Sequence, residues 1–370
     1  MSSPTSLVAD TAQQELRFCR APDGARIAYA VHGTGPPLVI AACWLSHLQF
    51  DWQSPVWRHF LADVGRVATI IRYDERGHGL SDWDVDDFGL EARIGDLEAV
   101  VADAGFDRFA LMAMSQGGPV SIAYSARHPE RVSRLIFYSS YAAAYRDLTP
   151  EDLAMAEAYD QLIKVGWERP TPEFRRVFTF QMIPGATEEQ MRWLDELQRM
   201  STSAEVCLKA RRQRRLANAV DLLPEITAPT LVIHGRHDHM NAFEDGVFLA
   251  ANIAGAKLVP LETHNHIVLG DEPAWPVFMR EVSAFLESDR AEADAPVAMT
   301  SGLTGTLSAR ELDVLRHVAK GDDNDDIAAA LFISVRTVER HLQNIYVKLG
   351  VQGKSARAAA VAALFTSPPA

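Results

Sequence analysis

Cysteine is scarce in this chain, because only Cys19, Cys43 and Cys207 occur among its 370 residues. Three distant thiols, odd in number, do not suggest a disulfide framework or a zinc site, so we expect reduced and mostly buried cysteines. The chain also lacks an apolar run long enough to cross a bilayer. Residues 1–15 are polar and lack the charged and then apolar segments of a signal peptide. We therefore expect a cytoplasmic protein without a membrane partner.

Positive charge is also in short supply, since the net charge is −13 at pH 7. That balance argues against a protein that coats nucleic acid with its whole surface. The charge is distributed unevenly along the chain. Residues 303–370 carry eight basic and seven acidic residues, a net charge of +1, so the remaining residues carry a net charge of −14. Residues 336–357 hold five basic residues against Glu339 alone. Any DNA-binding surface is therefore expected near the C-terminus.

The length allows two domains, and a change in composition marks the boundary between them. Residues 288–304 are rich in Ala, Asp, Ser and Thr without hydrophobic periodicity, which predicts a linker. Before the linker, short apolar runs alternate with amphipathic stretches, a pattern typical of a mainly parallel sheet with helices on both faces. The candidate strands cover residues 25–31, 37–42, 67–72, 108–114, 132–138, 230–233 and 257–260. We expect an α/β domain over residues 1–287 and a small domain over residues 305–370.

One segment of the first domain breaks the alternation of strands and helices. Residues 142–222 show helical patterns throughout, which predicts a helical cap over the carboxyl edge of the sheet, where ligands bind in open α/β sheets. The aromatic residues Trp167, Phe178 and Trp193 are expected in the core of this cap rather than against a ligand.

A candidate nucleophile lies where the strand 108–114 meets the following helix. The sequence there is Ala113-Met114-Ser115-Gln116-Gly117, and small residues on both sides of a serine allow the strained turn of a nucleophile elbow. Asp238 follows the candidate strand 230–233, and two histidines, His264 and His266, follow the strand 257–260. This is the chain order of a Ser-Asp-His triad. We favour His266 as the base because of its distance from the next helix, and His264 stays open as the alternative.

These motifs resemble the α/β-hydrolase superfamily over about residues 16–286. Asp74-Glu75-Arg76-Gly77-His78-Gly79-Leu80-Ser81 is similar to the family's turn after the fourth strand. The resemblance implies that Ser115 is the nucleophile, His266 the general base and Asp238 the residue that orients it. It also implies an oxyanion hole built from the backbone N–H groups of Gln116 and Trp44. Ala42-Cys43 stands where the family usually has His-Gly.

Two other clusters suggest metal sites only weakly. The spacing of His234, His237 and His239 fits no dinuclear hydrolase motif, so these histidines are expected to be structural. Residues 322–326 are acidic but lack the glycine and the final glutamate of a calcium loop, so they are expected to begin a helix. We expect no metal and no cofactor.

Beyond the linker, the pattern predicts four helices. Ser308 and Glu311 form a capping box at the start of the first, and Lys320-Gly321 end it. Further helices are expected over residues 324–330, 334–349 and 354–365. The segment resembles the LuxR-type (GerE) helix-turn-helix over residues 305–365, carried by Leu307-Ser308-Ala309-Arg310-Glu311, Thr337-Val338, Asn344-Ile345 and Lys348-Leu349-Gly350. The resemblance implies DNA binding and dimers that contact two half-sites.

The helix 334–349 is the expected recognition helix of this module. Arg336, Glu339, Arg340 and Gln343 face outward in a helical projection, and these side chains suit contacts with base edges. The residues expected to contact phosphates are Thr337, His341 and Lys348.

Taken together, these patterns favour a ligand-responsive transcription regulator whose hydrolase-like domain senses a small, largely apolar molecule. Its expected partners are DNA, the ligand, a second copy of the chain and RNA polymerase. We expect weak or absent turnover. The rival hypotheses are an active serine hydrolase of the esterase or lactonase type with a DNA-binding tail, and a ligand-independent interaction module.

Overall fold

The computed structural model describes residues 13–41, 45–144 and 149–294, and then residues 311, 314–315, 317–318, 322–331, 335–349 and 351. Contacts between Cα atoms divide the chain into two units, Met1–Glu292 and Ala293–Ala370. Cys19 and Cys207 are buried free thiols, whereas Cys43 lies outside the described residues. Within the described part of the chain, no helix combines the length and the apolar character needed to cross a membrane.

The first unit is built on a sheet of eight strands among the described residues. They are β1 Glu15–Arg20, β2 Arg26–Gly33, β3 Pro37–Ala41, β4 Thr69–Tyr73, β5 Phe109–Met114, β6 Val132–Tyr138, β7 Thr230–Gly235 and β8 Lys257–Leu261. Their order across the sheet is β1-β2-β4-β3-β5-β6-β7-β8. Strand β2 is antiparallel to both of its neighbours, and the pairs from β4 to β8 are parallel. This arrangement confirms the predicted mainly parallel sheet.

The central strands are buried on both faces, as parallel strands between helices must be. Every residue of β5, β6 and β7 is buried. The helices around the sheet are α1 Leu48–Trp52, α2 Arg58–Val64, α3 Leu90–Ala104, α4 Gly118–Arg127, α9 Phe243–Asn252 and α10 Ala274–Asp294. Apolar residues of α3, α4 and α9 pack on one face of the sheet, and those of α2 and α10 pack on the other.

Strand β1 is absent from the sequence-based prediction. It is an edge strand in which charged residues alternate with apolar ones, and Phe18 is 52% exposed. Such a strand shows neither an apolar run nor a clear buried face, so its pairing with β2 decides its structure.

The insertion between β6 and β7 is helical, as predicted. Its helices are α5 Pro150–Gly166, α6 Glu173–Met182, α7 Glu188–Ser201 and α8 Ala204–Arg214. Thr149 and Thr187 begin α5 and α7 with capping boxes. Trp167 and Phe178 are each 1% exposed within the core of this cap, and Trp193 stacks on Phe50 with ring centroids 4.2 Å apart.

The second unit contains α11 Asn324–Leu331 and α12 Val335–Lys348 among its described residues. The side chain of Asp323 accepts hydrogen bonds from the backbone N–H groups of Asp325 and Asp326, both at 2.9 Å, and so caps α11. A separate core joins both helices to residues near Leu315, and its buried members are Val314, Leu315, Val318, Ile327, Ala328, Val338, Leu342 and Ile345. The predicted last helix, residues 354–365, lies outside the described residues.

Candidate functional site

Ser115 occupies the turn between β5 and α4 in a strained conformation. Its φ is +47°, in the left-handed region that costs a residue with a Cβ about 1–2 kcal/mol. Close packing holds the turn, because a Cβ on Gly118 would lie 1.9 Å from the carbonyl oxygen of Tyr141. The hydroxyl of Ser140 donates to the carbonyl oxygen of Ser115 at 2.5 Å. The local sequence therefore places Ser115 at the carboxyl edge of the sheet, as a nucleophile elbow would.

Asp238 and His266 meet at the same edge, from the loops after β7 and β8. The Nδ1 atom of His266 lies 2.7 Å from Oδ2 of Asp238, and Asp238 has no exposed side-chain surface. The other carboxylate oxygen accepts backbone N–H groups of Met240 at 2.8 Å and Asn241 at 3.2 Å. With Nδ1 held by the carboxylate, Nε2 is the ring nitrogen that His266 would use if it acts as the predicted base.

The charge of Asp238 is stabilised against burial. Burial acts to raise the pKa of Asp238, but the His266 imidazole and the two N–H donors outweigh it and hold the pKa below its ordinary value. The carboxylate therefore stays ionised and can orient His266.

The alternative base, His264, lies elsewhere. Its ring stacks on His237 with centroids 4.7 Å apart and contacts His239 edge-on at 5.9 Å. His234 is buried, and its Nε2 lies 3.1 Å from the carbonyl oxygen of Asn241. The described residues include no group of three or more His, Cys, Asp or Glu side chains arranged to hold a metal ion.

Ser115 and His266 line one pocket. The remaining walls are mostly apolar and come from the sheet, the cap, the start of α2 and the loops after β6, β7 and β8; they are Trp57, Met114, Tyr138, Ser139, Met182, Met240 and Ile267. A small apolar molecule or an ester fits this lining better than a charged one.

Asn241 is a site residue that the sequence does not reveal. Its Nδ2 atom lies 3.4 Å from Oγ of Ser115 and donates to the carbonyl oxygen of Ser139 at 2.7 Å. Its place three residues after Asp238 is the available signal, but asparagine is common in loops for other reasons. Because the amide of Asn241 points its N–H toward Oγ of Ser115, it can occupy a lone pair that this oxygen would otherwise use to attack a substrate.

The residue after Ser115, Gln116, belongs to a buried ionic cluster that we call the Glu75 cluster: Glu75, Arg93, Gln116 and Arg214. The Nε2 atom of Gln116 donates to Oε2 of Glu75 at 3.0 Å, and Nη2 of Arg93 donates to the Gln116 carbonyl oxygen at 3.1 Å. Glu75 also forms ion pairs with Arg93 and with Arg214 of helix α8. Gln116 is therefore fixed on one side of the turn, whereas Trp44, the other predicted oxyanion donor, lies outside the described residues.

The cap contacts both sides of Ser115. Arg214 reaches the Glu75 cluster from α8. On the opposite side, the backbone N–H of His266 donates to the carbonyl oxygen of Met182, the last residue of α6, at 2.8 Å. A displacement of the cap would therefore disturb both His266 and Gln116, the neighbour of Ser115.

Helix α12 presents a polar face and buries an apolar one. Glu339, Arg340 and Gln343 are exposed, while Thr337 and His341 are half-buried, and their contacts with DNA stay a prediction. The buried residues on the other side are Val338, Leu342 and Ile345. The side chain of Arg336 lies outside the described part of the chain.

Lys348 has a partner that the sequence does not indicate. Its Nζ atom lies 2.7 Å from Oε2 of Glu311, whose side chain is 5% exposed. Lys348 therefore neutralises a buried carboxylate within its own unit, and any contact with a DNA phosphate has to compete with that ion pair.

Comparison with known proteins agrees with both units. The family described as alpha/beta hydrolase fold matches residues 36–273. The AB hydrolase superfamily protein YisY of Bacillus subtilis is 25% identical over 240 residues, which are 63% of this chain and 86% of that protein. A crystal structure of a hydrolase from Pseudomonas aeruginosa superposes with a TM-score of 0.61 at 25% identity, covering 74% of this chain and 98% of the other.

The C-terminal unit has separate relatives. The family described as bacterial regulatory proteins, luxR family, matches residues 305–362. The oxygen regulatory protein NreC of Staphylococcus aureus is 38% identical over 78 residues, 21% of this chain and 36% of that protein.

Proposed function

Because the chain belongs to the α/β hydrolase fold family and carries a luxR-family regulatory module, we propose that it is a transcription regulator controlled by a small-molecule ligand. The observation that carries the proposal is the combination, in one chain, of a luxR-family helix with a polar face and a mostly apolar pocket at Ser115. The ligand would be a small, largely apolar molecule, such as an ester, a lactone or an aromatic acid.

The cap supplies the proposed route from ligand to DNA. Ligand in the pocket touches Met182, whose carbonyl oxygen holds the His266 loop, and Arg214 of the cap holds the Glu75 cluster. A change in cap position would alter how two copies of the chain associate, and thereby the spacing of their recognition helices on two half-sites. Dimerisation and the location of the protein in the cytoplasm are parts of this proposal.

DNA binding with and without ligand tests the proposal. An operator selected from random duplexes would be titrated with the full chain by fluorescence anisotropy at fixed salt, in the presence of ester and lactone libraries. A ligand that raises the melting temperature should change operator affinity by about 5- to 150-fold, the usual range of allosteric coupling. Arg340→Ala is the control, because it should weaken operator binding by about 1–3 kcal/mol and keep the ligand-induced melting shift. Ligands that bind without any change in operator affinity would contradict the proposal.

The second candidate, an active serine hydrolase, is favoured by the 2.7 Å contact between Asp238 and His266 and by the strained turn at Ser115. We expect turnover of p-nitrophenyl acetate far below the roughly 10 per second of a typical enzyme. A rate of that order in the wild type, lost in Ser115→Ala, would favour the enzyme instead.

A further inference from the structure

A second cavity adjoins the pocket that contains Ser115. Two side chains, Trp57 and Met114, line both the first pocket and this cavity. Its apolar lining comes from the strands β3 and β4 and from helix α2, with Ile40, Phe60 and Leu61 among its residues. We call this space the inner chamber. Because Trp57 and Met114 line both cavities, the two spaces adjoin at these side chains.

The inner chamber ends in a buried carboxylate. Asp51 on α1 lines it and is 5% exposed. Its Oδ2 atom accepts the backbone N–H of His47 at 3.2 Å and lies 3.3 Å from Nη1 of Arg72. Its Oδ1 atom has no hydrogen-bond partner among the described residues. A buried oxygen left in this state costs free energy, and a donor placed in the chamber would remove that cost.

The charged residues around the chamber determine which ligand groups could bind beside Asp51. Asp51 shares Arg72 with a second buried carboxylate, Asp74, whose Oδ2 accepts the N–H groups of Leu48 and Leu80. Burial raises the pKa of Asp51 to about 7, and burial likewise raises the pKa of Asp74. Two acidic groups beside one guanidinium disfavour a carboxylate or phosphate ligand and favour a neutral group that donates a hydrogen bond.

We infer that the inner chamber is a second ligand subsite, which takes the hydroxyl-bearing end of an apolar molecule while the rest of that molecule extends past Trp57 and Met114 toward Ser115. The hydroxyl would donate to Oδ1 of Asp51. This inference rests on the proposed function, since it names the chemistry of the ligand that the hydrolase-fold unit binds.

Two probes that differ in one hydrogen-bond donor test the subsite. Binding of 4-propylphenol and of its methyl ether, 4-propylanisole, to the full chain would be measured by calorimetry at about pH 8.5, where Asp51 is ionised and a phenol is still neutral. We expect the phenol to bind at least about tenfold more tightly, the effect of one hydrogen bond to a charged group. Equal affinities, or no binding of the phenol at millimolar concentration, would overturn the inference.

Variants locate the effect within the molecule. In Asp51→Asn the amide oxygen can accept from Arg72 and an N–H₂ group then faces the chamber, so the preference for the phenol should disappear or reverse. Leu61→Phe places a larger side chain in the lining of the chamber, leaves Asp51 unchanged in sequence and should weaken both probes. Met240→Phe, in the first pocket, is the matched control and should keep the preference. A preference that persists in Asp51→Asn would place the phenol elsewhere.

These outcomes are separate from those that test the proposed function. Loss of the phenol preference removes the inner subsite but leaves ligand-dependent DNA binding to be judged by anisotropy. Conversely, a chain whose operator affinity does not change with any ligand can still bind the phenol more tightly than the methyl ether.

Discussion

Replacing Glu75 by glutamine should destabilise the hydrolase-fold unit more than removing either cation that it binds. Glu75 and Arg214 are 2% and 5% exposed at their side chains, and Arg93 is 3% exposed. Burial lowers the pKa of His78 to about 4, so this neighbouring residue is neutral at pH 7. One buried carboxylate therefore opposes two buried guanidinium groups, and the cluster carries a net positive charge.

The magnitudes follow from which charges each variant leaves behind. Glu75→Gln leaves two buried cations without a counter-charge, and breaking a buried ion pair in this way costs about 3–5 kcal/mol. Arg214→Met leaves Glu75 paired with Arg93, so no net charge remains, and we expect a loss of less than about 3 kcal/mol. The exposed pair of Arg127 and Glu91 supplies the matched control, because Glu91→Gln there should cost about 1 kcal/mol or less.

Urea unfolding followed by tryptophan fluorescence measures these differences in the full chain. All seven tryptophans lie between residues 44 and 275, so the signal reports on the hydrolase-fold unit alone. The free energy of unfolding should be highest for the wild type and should decrease through Glu91→Gln and Arg214→Met to Glu75→Gln. If Arg214→Met were as damaging as Glu75→Gln, the charge count of the cluster would be wrong, and the packing of the Arg214 side chain would dominate instead.

Three further predictions concern other parts of the chain. Gly118→Ala should cost about 3 kcal/mol or more in urea unfolding, at or above the usual range for overpacking, because the added methyl meets the Tyr141 carbonyl oxygen. Arg340→Ala should weaken operator binding by about 1–3 kcal/mol in gel-shift titrations and relax preference at one base pair, whereas Lys348→Ala should also lower the stability of its unit. The pKa of His78 is about 4 when folded and about 6.5 when unfolded, so the unfolded state takes up its proton first. Stability should therefore fall as pH drops from about 6.5 to 4, by at most about 3 kcal/mol from this group, and His78→Asn should flatten unfolding curves measured across that range.

The strands of the sheet could be predicted because their signal is local. Strands β5, β6 and β7 are apolar along their whole length, and each is followed by turn residues, so length and composition suffice to identify them. Strand β1 fails on the same criterion, because a half-exposed edge strand gains its order from pairing with β2 rather than from its own pattern. The helical cap was predictable from the break in alternation, although its contacts with the sheet were not.

The candidate triad could be predicted for a related reason. Each of Ser115, Asp238 and His266 follows a recognisable strand, and parallel strands bring their carboxyl ends to one edge. The choice between His264 and His266 depends on how one short loop folds, and in the structure His266 contacts Asp238 while His264 stacks on His237. The catalytic role of His266 stays a prediction.

Asn241 and the Glu75 cluster escaped prediction because their partners are distant in sequence. Arg214 lies 139 residues from Glu75 along the chain. A buried arginine in a basic helix end, such as the end of α8, looks like a solvated charge until its partner is known. The partner of Lys348 was missed in the same way, since Glu311 was interpreted as part of a capping box.

The two cap contacts limit what kind of ligand can act through this pocket. A ligand shifts an equilibrium only by the difference in its affinity for the two states. A molecule too large for the pocket and the inner chamber together would displace the cap. Because Arg214 of the cap is paired with buried Glu75, that displacement would cost free energy and oppose binding. A smaller apolar molecule fills the pocket with both contacts in place and stabilises the arrangement already present. We therefore expect effective ligands to be small molecules that keep the cap in contact with the sheet domain. Such ligands should affect DNA binding by stabilising a single dimer geometry.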